Sequence, residues 1–141
     1  MSTKTCWKCG NIFEGQYVGT TECPACRTIE TLKSIPQNQQ SSASDYTLVL
    51  SDAGKHIYKN EGEGYSVVVP TNADVAFEIG TVVTVVSGDS WTYIYPADSE
   101  TTEIWGAGFN TTSTAFYIPN NSMATLLKIG TDKWMLSGAG L

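Results

Sequence analysis

A run of branched apolar residues in the middle of the chain constrains the fold most. Branched residues dominate residues 65–87, and β-branched side chains favour a pleated strand over a helix. Within the run, Val75, Phe77 and Ile79 alternate with other residue types, which is typical of a half-buried strand. Residues 82–86 are apolar apart from one threonine and indicate a strand covered on both faces. The run therefore predicts the central pair of strands of a β domain.

Short strand patterns continue through the rest of the chain. From residue 45 onward, short apolar segments alternate with turn residues at the spacing expected of a sandwich or barrel. Residues 124–129 and 134–137 form the last hairpin pattern, across a Gly-Thr-Asp-Lys turn. Apolar residues show no helical period after residue 34. The sequence predicts an all-β fold, with an antiparallel β-sandwich or barrel over residues 45–141.

All four cysteines lie in the first thirty residues, as two Cys-x2-Cys pairs separated by thirteen residues: Cys6, Cys9, Cys23 and Cys26. Two intervening residues let one tight turn direct both sulfurs to a common centre, and two such turns complete a tetrahedral thiolate site for Zn²⁺. Two disulfides, or a reactive redox pair, are the alternatives. Zinc is favoured because so small a module has almost no other core. The pattern predicts a structural zinc ribbon over residues 1–33, in which four thiolates leave no open position for catalysis.

The segment between the cysteine module and the β domain is polar and uncharged. Residues 34–44 contain one proline, no aromatic residue and several serines and glutamines. Such a composition buries too little apolar surface to fold alone. The segment is therefore predicted to be a flexible linker.

Charge is distributed unevenly and bears on possible partners. The net charge is −6. Residues 1–35 carry four basic and three acidic side chains, giving +1, whereas residues 36–141 carry four basic and eleven acidic ones, giving −7. An acidic domain is a poor match for a phosphate backbone, and the cysteine module lacks a dense Lys/Arg footprint. Nucleic acid is therefore not an expected partner.

Membrane and secretion signals are not expected either. No apolar run reaches the roughly 20 residues needed to cross a bilayer. The first nine residues lack the apolar core of a signal peptide. The sequence therefore predicts a protein made in a reducing cytoplasm, where paired cysteines more often bind metal than form disulfides.

Catalytic constellations are sparse, and no enzyme activity is predicted. His56 is the single histidine, and its neighbours read as an ordinary strand. Two carboxylate pairs, Glu61 with Glu63 and Glu100 with Glu103, lie in predicted turns where charged residues are usually solvated. The sequence contains no phosphate loop, dinucleotide fingerprint or His-based metal array.

One strand carries an aromatic face. Residues 91–95 place Trp91, Tyr93 and Tyr95 on the same side of a strand. If exposed, these rings would stack on sugar rings; if buried, they would belong to the core or a subunit interface, the commoner fate of aromatic residues. Trp105 has the same two interpretations.

Four motifs, in order along the last hundred residues, carry a resemblance to a known family. They are Leu-Ser-Asp-Ala-Gly-Lys (50–55), Val-Pro-Thr-Asn-Ala-Asp-Val-Ala-Phe (69–77), Ile-Gly-Thr (79–81) and Ala-Thr-Leu-Leu-Lys-Ile-Gly-Thr-Asp-Lys-Trp-Met-Leu-Ser-Gly (124–138). With them, residues 46–141 resemble a small β module of structural proteins of tailed bacteriophages. The resemblance implies a tail-fibre-like or decoration module, often oligomeric, on the virion exterior, and supplies no catalytic residues.

The sequence thus leads to a hypothesis of a non-enzymatic virion protein, assembled in the host cytoplasm. The zinc ribbon would dock on other virion proteins of the capsid or tail. The β domain, as a homotrimer, would project as a capsid decoration, a head fibre or a short fibre. The alternative is a tail-tip or fibre adhesin that binds a host surface glycan through its aromatic face.

Overall fold

The computed structural model describes residues 3–5, 12–14, 34–60, 65–108 and 114–138. The chain divides into two compact units, Met1–Ile35 and Pro36–Leu141. In the first unit, strands β1 (Thr3–Thr5) and β2 (Ile12–Glu14) pair antiparallel. The predicted zinc ligands Cys6, Cys9, Cys23 and Cys26 lie outside the described residues, so the ribbon stays a prediction.

The described residues of the second unit form ten strands and contain no α-helix. A short 3₁₀ helix spans Leu50–Asp52. The strands are β3 (Gln37–Gln40), β4 (Tyr46–Thr47), β5 (His56–Lys59), β6 (Ser66–Val69), β7 (Val82–Ser87), β8 (Thr92–Pro96), β9 (Glu103–Gly106), β10 (Phe116–Ile118), β11 (Ser122–Gly130) and β12 (Lys133–Gly138). The predicted all-β class is confirmed.

These strands form two sheets, and both sheets are mixed. One has the order β10-β8-β6-β4 and the other the order β3-β5-β7-β11-β12-β9. The last hairpin is confirmed, because β11 pairs antiparallel with β12. Five other neighbouring pairs are parallel: β3 with β5, β5 with β7, β4 with β6, β6 with β8, and β9 with β12.

The prediction of an antiparallel domain was therefore wrong. From β3 to β11 the chain passes to the other sheet at every connection, so strands that follow each other in sequence are not neighbours in a sheet. In this part of the chain, two strands that pair are separated in sequence by at least one strand of the other sheet. A chain that returns to a sheet after such a crossover can run parallel to the strand it left. The spacing of turns and apolar segments in the sequence predicts where the strands are. It does not predict that successive strands lie in different sheets.

One core lies between the two sheets. Its buried side chains come from strands of both sheets and from the segments that join them: Leu48, Ile57, Val67, Val69, Phe77, Val83, Val85, Ile94, Ile104, Phe116, Ile118, Ala124, Leu126, Trp134 and Leu136. Most sit on alternate positions of their strands, as expected for strands with one face on a core. The second unit thus has the layered arrangement of two sheets that share a hydrophobic interior.

The central run of the sequence divides differently from the prediction. Its two strands, β6 and β7, lie in different sheets and do not pair with each other. Residues 75–79, predicted as a strand from their alternation, form no strand. The amides of Asp74 and Val75 both donate to the carbonyl oxygen of Thr71, which makes a turn there. Phe77 is buried edge-on against Trp134, at 5.5 Å between ring centroids, while Ile79 is exposed.

Part of the predicted linker is a strand. Gln37–Gln40 forms β3, which pairs parallel with β5 at the edge of the six-stranded sheet. The residues after it are tied down by the buried Lys59, whose Nζ donates to the carbonyl oxygens of Ser42 at 2.7 Å and Ser44 at 2.8 Å. A polar sequence can add an edge strand because the ladder hydrogen bonds come from the backbone and need no apolar side chains.

Candidate functional site

The outer face of the four-stranded sheet carries the aromatic residues that the sequence singled out. Along β8, Thr92, Ile94 and Pro96 point into the interior and are buried, while Tyr93 and Tyr95 lie on the opposite face and are half-buried. This alternation follows from the period of two residues in a strand. The face predicted from the sequence exists, and its rings lie outside the hydrophobic core.

A tyrosine from the neighbouring strand lies beside Tyr93. Tyr117 on β10 is the register partner of Tyr93, with ring centroids 5.7 Å apart. Trp91, just before β8, lies 5.2 Å from Tyr93 and 6.0 Å from Tyr117. Trp91, Tyr93 and Tyr117 are here called the aromatic cluster. Their mutual contacts hold each ring in place, and Tyr117 is the most exposed of the three.

Sequence reasoning missed Tyr117. The apolar alternation of residues 115–118 was visible, and it places Tyr117 on the opposite side from the buried Phe116 and Ile118. What the sequence did not supply was the pairing of β10 with β8, because the two strands are separated by β9 of the other sheet. Only that pairing brings Tyr117 beside Tyr93.

Tyr95 is held by a carboxylate next to the cluster. Its hydroxyl donates to Oδ2 of Asp45 at 2.9 Å, and the amide of Ser66 donates to Oδ1 of the same residue at 2.8 Å. Burial raises the pKa of Tyr95, and the hydrogen bond to Asp45 raises it further. The neutral hydroxyl and the carboxylate therefore form a fixed polar edge on the same sheet face as the rings.

The chemistry that this surface offers is recognition by stacking. The three rings are inclined to one another by 39° to 76°, so the cluster is ridged and no two rings share a plane. An aromatic face with a polar edge suits ligands that have both an apolar face and hydroxyl groups, as sugar rings do.

Trp105 is separated from the cluster. It lies on β9, at the edge of the six-stranded sheet, and its Nε1 donates to Oε2 of Glu103 at 3.0 Å. The Nζ of Lys133 lies 4.8 Å from the centre of its ring. The structure thus brings together Trp91, Tyr93 and Tyr95 on one face and assigns Trp105 to the other sheet.

The titratable groups considered in the sequence occupy scattered positions. His56 is half-buried on β5, with Nε2 2.9 Å from Oε1 of Gln37. Glu103 forms an ion pair with Lys133 at 3.8 Å, and Glu100 lies in the loop before β9. Glu61 and Glu63 lie outside the described residues. Within the described parts of the chain, no three His, Cys, Asp or Glu side chains gather as metal ligands would.

Among the residues that the structure describes, no helix has the length and apolar character to cross a membrane. No protein-family model matches the chain, and no curated protein is similar enough in sequence to count as a relative.

Proposed function

We propose that this chain is a non-enzymatic structural protein of a tailed-bacteriophage particle. The observation that carries the proposal is the resemblance of residues 46–141, through four motifs in the same order, to β modules of phage structural proteins. The all-β second unit is consistent with it. In this proposal the unit is displayed on the particle as a homotrimer, as a capsid decoration, head fibre or short fibre.

The first unit would serve as the docking module. Cys6, Cys9, Cys23 and Cys26 supply four thiolates in two close pairs, the donor set that a structural Zn²⁺ site prefers. In sequence, the first pair falls between β1 and β2, which pair antiparallel. A zinc ion there would fold a module too small to have a core of its own.

Mass spectrometry and electron microscopy of particles from the encoding phage test the proposal. We expect the chain in purified particles, with the β unit on their exterior. Elemental analysis of protein purified under reducing conditions should find one zinc per chain, and Cys23→Ser should lose both zinc and attachment to particles. Absence of the chain from purified particles would overturn the structural role, whereas protein without zinc would overturn only the docking module.

The aromatic cluster favours a second candidate function, an adhesin that binds a host surface glycan. The supporting observation is that Trp91, Tyr93 and Tyr117 lie on the surface of the sheet rather than in the core, beside the fixed carboxylate of Asp45. Loss of one stacking ring should weaken glycan binding by about tenfold or more.

Glycan arrays separate the two candidates. The wild-type chain would bind a defined set of glycans, and Trp91→Ala and Tyr117→Ala would each lose that binding. Trp105→Ala is the matched control because it removes an equally large aromatic side chain from the other sheet. If the wild type binds no glycan, or if the cluster variants bind as strongly as the wild type, the adhesin function is excluded and only the display role remains.

A further inference from the structure

The outer side of the four-stranded sheet presents one surface that crosses all four strands. The register places Tyr117, Tyr93 and Ser66 side by side on three successive strands. Asp45, which immediately precedes β4, ends this row, because its Oδ1 accepts from the amide of Ser66 at 2.8 Å. Three strand spacings of about 4.8 Å give the row a length of roughly 14 Å. This surface is here called the tyrosine face, and it consists of Asp45, Trp91, Tyr93, Tyr95 and Tyr117.

Tyr95 reaches across the tyrosine face to Asp45. Strand β6 lies between β8, which carries Tyr95, and β4, which follows Asp45. The 2.9 Å hydrogen bond from the Tyr95 hydroxyl to Oδ2 of Asp45 therefore spans β6. Ser66 and Val68, which point outward from β6, are only 5% and 7% exposed, consistent with cover by this side chain. The phenol group of Tyr95 is thus held in a fixed position between the aromatic cluster and the carboxylate.

The polar edge of the tyrosine face offers hydrogen-bond acceptors. The hydroxyl proton of Tyr95 and the amide proton of Ser66 are both donated to Asp45. A carboxylate has about four lone-pair sites, so the exposed Asp45 keeps acceptor capacity after binding these two donors. Burial, and then the hydrogen bond to Asp45, raise the pKa of Tyr95, which keeps its hydroxyl protonated. A ligand bound at this edge must therefore supply the protons.

The same edge carries a negative charge. Within the described parts of the chain, strands β4, β6, β8 and β10 contain no lysine, arginine or histidine. Burial lowers the pKa of Lys59, and the charge of Asp45 opposes that effect. Lys59 is 2% exposed, however, and its Nζ donates to the carbonyl oxygens of Ser42 and Ser44, so its ammonium group is not presented to a ligand. A carboxylate, sulfate or phosphate group on a ligand would meet a like charge.

The rings of the aromatic cluster favour a ligand with a flat apolar side. Their centroids lie 5.2 to 6.0 Å apart, so the rings contact one another and leave no gap that could enclose an ammonium group. Tyr117 is 44% exposed, which leaves ring surface for stacking. A pyranose ring has an apolar side for this surface, and its hydroxyl groups are the donors that Asp45 requires. A simple amine would satisfy the carboxylate but would leave the rings uncovered.

We propose that the tyrosine face binds uncharged oligosaccharides, with sugar rings stacked on the aromatic cluster and hydroxyl groups donating to Asp45, and that Asp45 excludes acidic glycans. At one ring per strand spacing, the row accommodates about two or three sugar rings. The proposal rests on the second candidate function, the glycan-binding adhesin. It adds to that function the class of glycan and the residue that selects it.

A glycan array probed with the full chain, in the presence of zinc and a reductant, tests the class of glycan. Each neutral oligosaccharide is printed beside its sialylated and sulfated forms, and glucosamine oligomers are printed beside their N-acetylated forms. We expect the wild type to bind neutral forms about tenfold or more better than acidic forms of the same oligosaccharide, because like charges repel. That preference should shrink at high salt, since exposed charges are screened.

Asp45→Asn tests whether this residue selects the glycan. Asparagine keeps an acceptor for the amide of Ser66 but removes the charge. Neutral glycans should therefore bind about fivefold more weakly, and the preference over acidic forms should fall by about tenfold. Glu78→Gln is the matched control. It removes one negative charge from an exposed residue next to Phe77, whose carbonyl group is bound by Lys128 of the six-stranded sheet.

The outcomes separate this proposal from the adhesin function. If the wild type binds no glycan on the array, both are excluded. If acidic or amine-bearing forms bind as strongly as neutral ones, or if Asp45→Asn keeps the wild-type preference, the adhesin function stands and this proposal fails. A preference that is lost in Asp45→Asn and kept in Glu78→Gln supports it. Thermal unfolding checks that both variants fold, and the wild-type preference with its salt dependence decides even if Asp45→Asn does not.

Discussion

Asp52 is fully buried in the 3₁₀ helix, and each of its carboxylate oxygens has a donor. Oδ1 accepts from Nδ2 of Asn38 at 2.8 Å, and Oδ2 accepts from the hydroxyl of Tyr46 at 2.7 Å and the amide of Val49 at 3.0 Å. Burial, and then the hydrogen bond to Asp52, raise the pKa of Tyr46 to about 12. A tyrosinate beside this carboxylate would be a second buried negative charge.

We therefore expect Tyr46 to make stability depend on pH in the alkaline range. Because its folded pKa of about 12 exceeds the ordinary 10.0, the contribution is fully present below pH 10 and is lost as the pH rises to about 12. The stability difference between wild type and Tyr46→Phe should shrink across that window by about 1 kcal/mol, because solvent screening at a partly exposed hydroxyl reduces the full effect of the pKa shift. Urea unfolding of both proteins at a series of pH values measures it. A difference that stays constant would contradict the prediction.

Lys128 is almost fully buried on β11 and holds an irregular segment. Its Nζ donates to Oδ1 of Asn72 and to the carbonyl oxygen of Phe77, both at 2.7 Å. Burial lowers the pKa of this lysine, while the nearby charge of Asp132 raises it. The ammonium group thus fastens residues 71–80, which form no strand, to the central strand of the larger sheet.

Replacing Lys128 with methionine should loosen that segment. Lys128→Met keeps the aliphatic stem but leaves two acceptors without their donor, and we expect a loss of about 1 to 3 kcal/mol in the free energy of unfolding. Amide hydrogen exchange should accelerate at Val75 and Phe77 more than within β7.

Lys133→Met is the control for this change, because Lys133 is largely exposed and its ion pair with Glu103 is a surface contact. Such pairs contribute little, about 0 to 1 kcal/mol. Equal exchange at residues 71–80 in wild type and Lys128→Met would show that the lysine does not fasten the segment.

At the scale of elements, β3 shows how a polar segment becomes part of a sheet. Beyond its ladder with β5, it is held by Asn38, whose side chain donates to both the hydroxyl of Tyr46 and the carboxylate of Asp52 at 2.8 Å. Gln37 and Gln39 are exposed. The Asn38 side chain therefore attaches β3 to the buried carboxylate of Asp52.

We expect Asn38→Ala to lower the free energy of unfolding by about 1 to 3 kcal/mol, because the buried carboxylate of Asp52 loses a donor. Gln39→Ala, on the same strand, should change it by no more than about 0.5 kcal/mol, as is usual for exposed positions. Chemical denaturation of the two variants compares them directly. Equal effects would mean that Asn38 contributes nothing beyond the backbone pairing.

The sequence predicted strands better than it predicted their partners. The valine pattern found β7 and the turn at residues 130–133 found the β11–β12 hairpin, because both are local signals. The alternation of residues 75–79 was misleading, because Lys128, about fifty residues later, holds the carbonyl group of Phe77 in a turn segment. The same limit applies to the candidate site. The pattern of residues 91–95 predicted Trp91 and Tyr93 on one face, but Tyr117 entered only through pairing between distant strands.

At the scale of the whole molecule, the division into Met1–Ile35 and Pro36–Leu141 predicts two independent folding units. Removing metal with a chelator under reducing conditions should unfold the first unit, whose folding is proposed to depend on zinc. The second unit should keep its melting temperature within about 2 °C, since its core is built from its own two sheets. Calorimetry with and without chelator measures both.

Cys23→Ser, examined without chelator, is the genetic counterpart of that experiment. A large decrease in the melting temperature of the second unit on chelation would contradict independent folding. No change anywhere in the molecule would contradict metal-dependent folding of the first unit.

The alternation of the chain between the two sheets also bears on how the protein forms during translation. Strand β7 lies between β5 and β11, and β9 is joined to its sheet through β12. While the ribosome is still making residues 122–138, β7 has an open hydrogen-bonding edge and β9 has no neighbour in its sheet. The nascent polypeptide therefore has unpaired strand edges until residues 122–138 have left the ribosome. It is most prone to aggregate during that time.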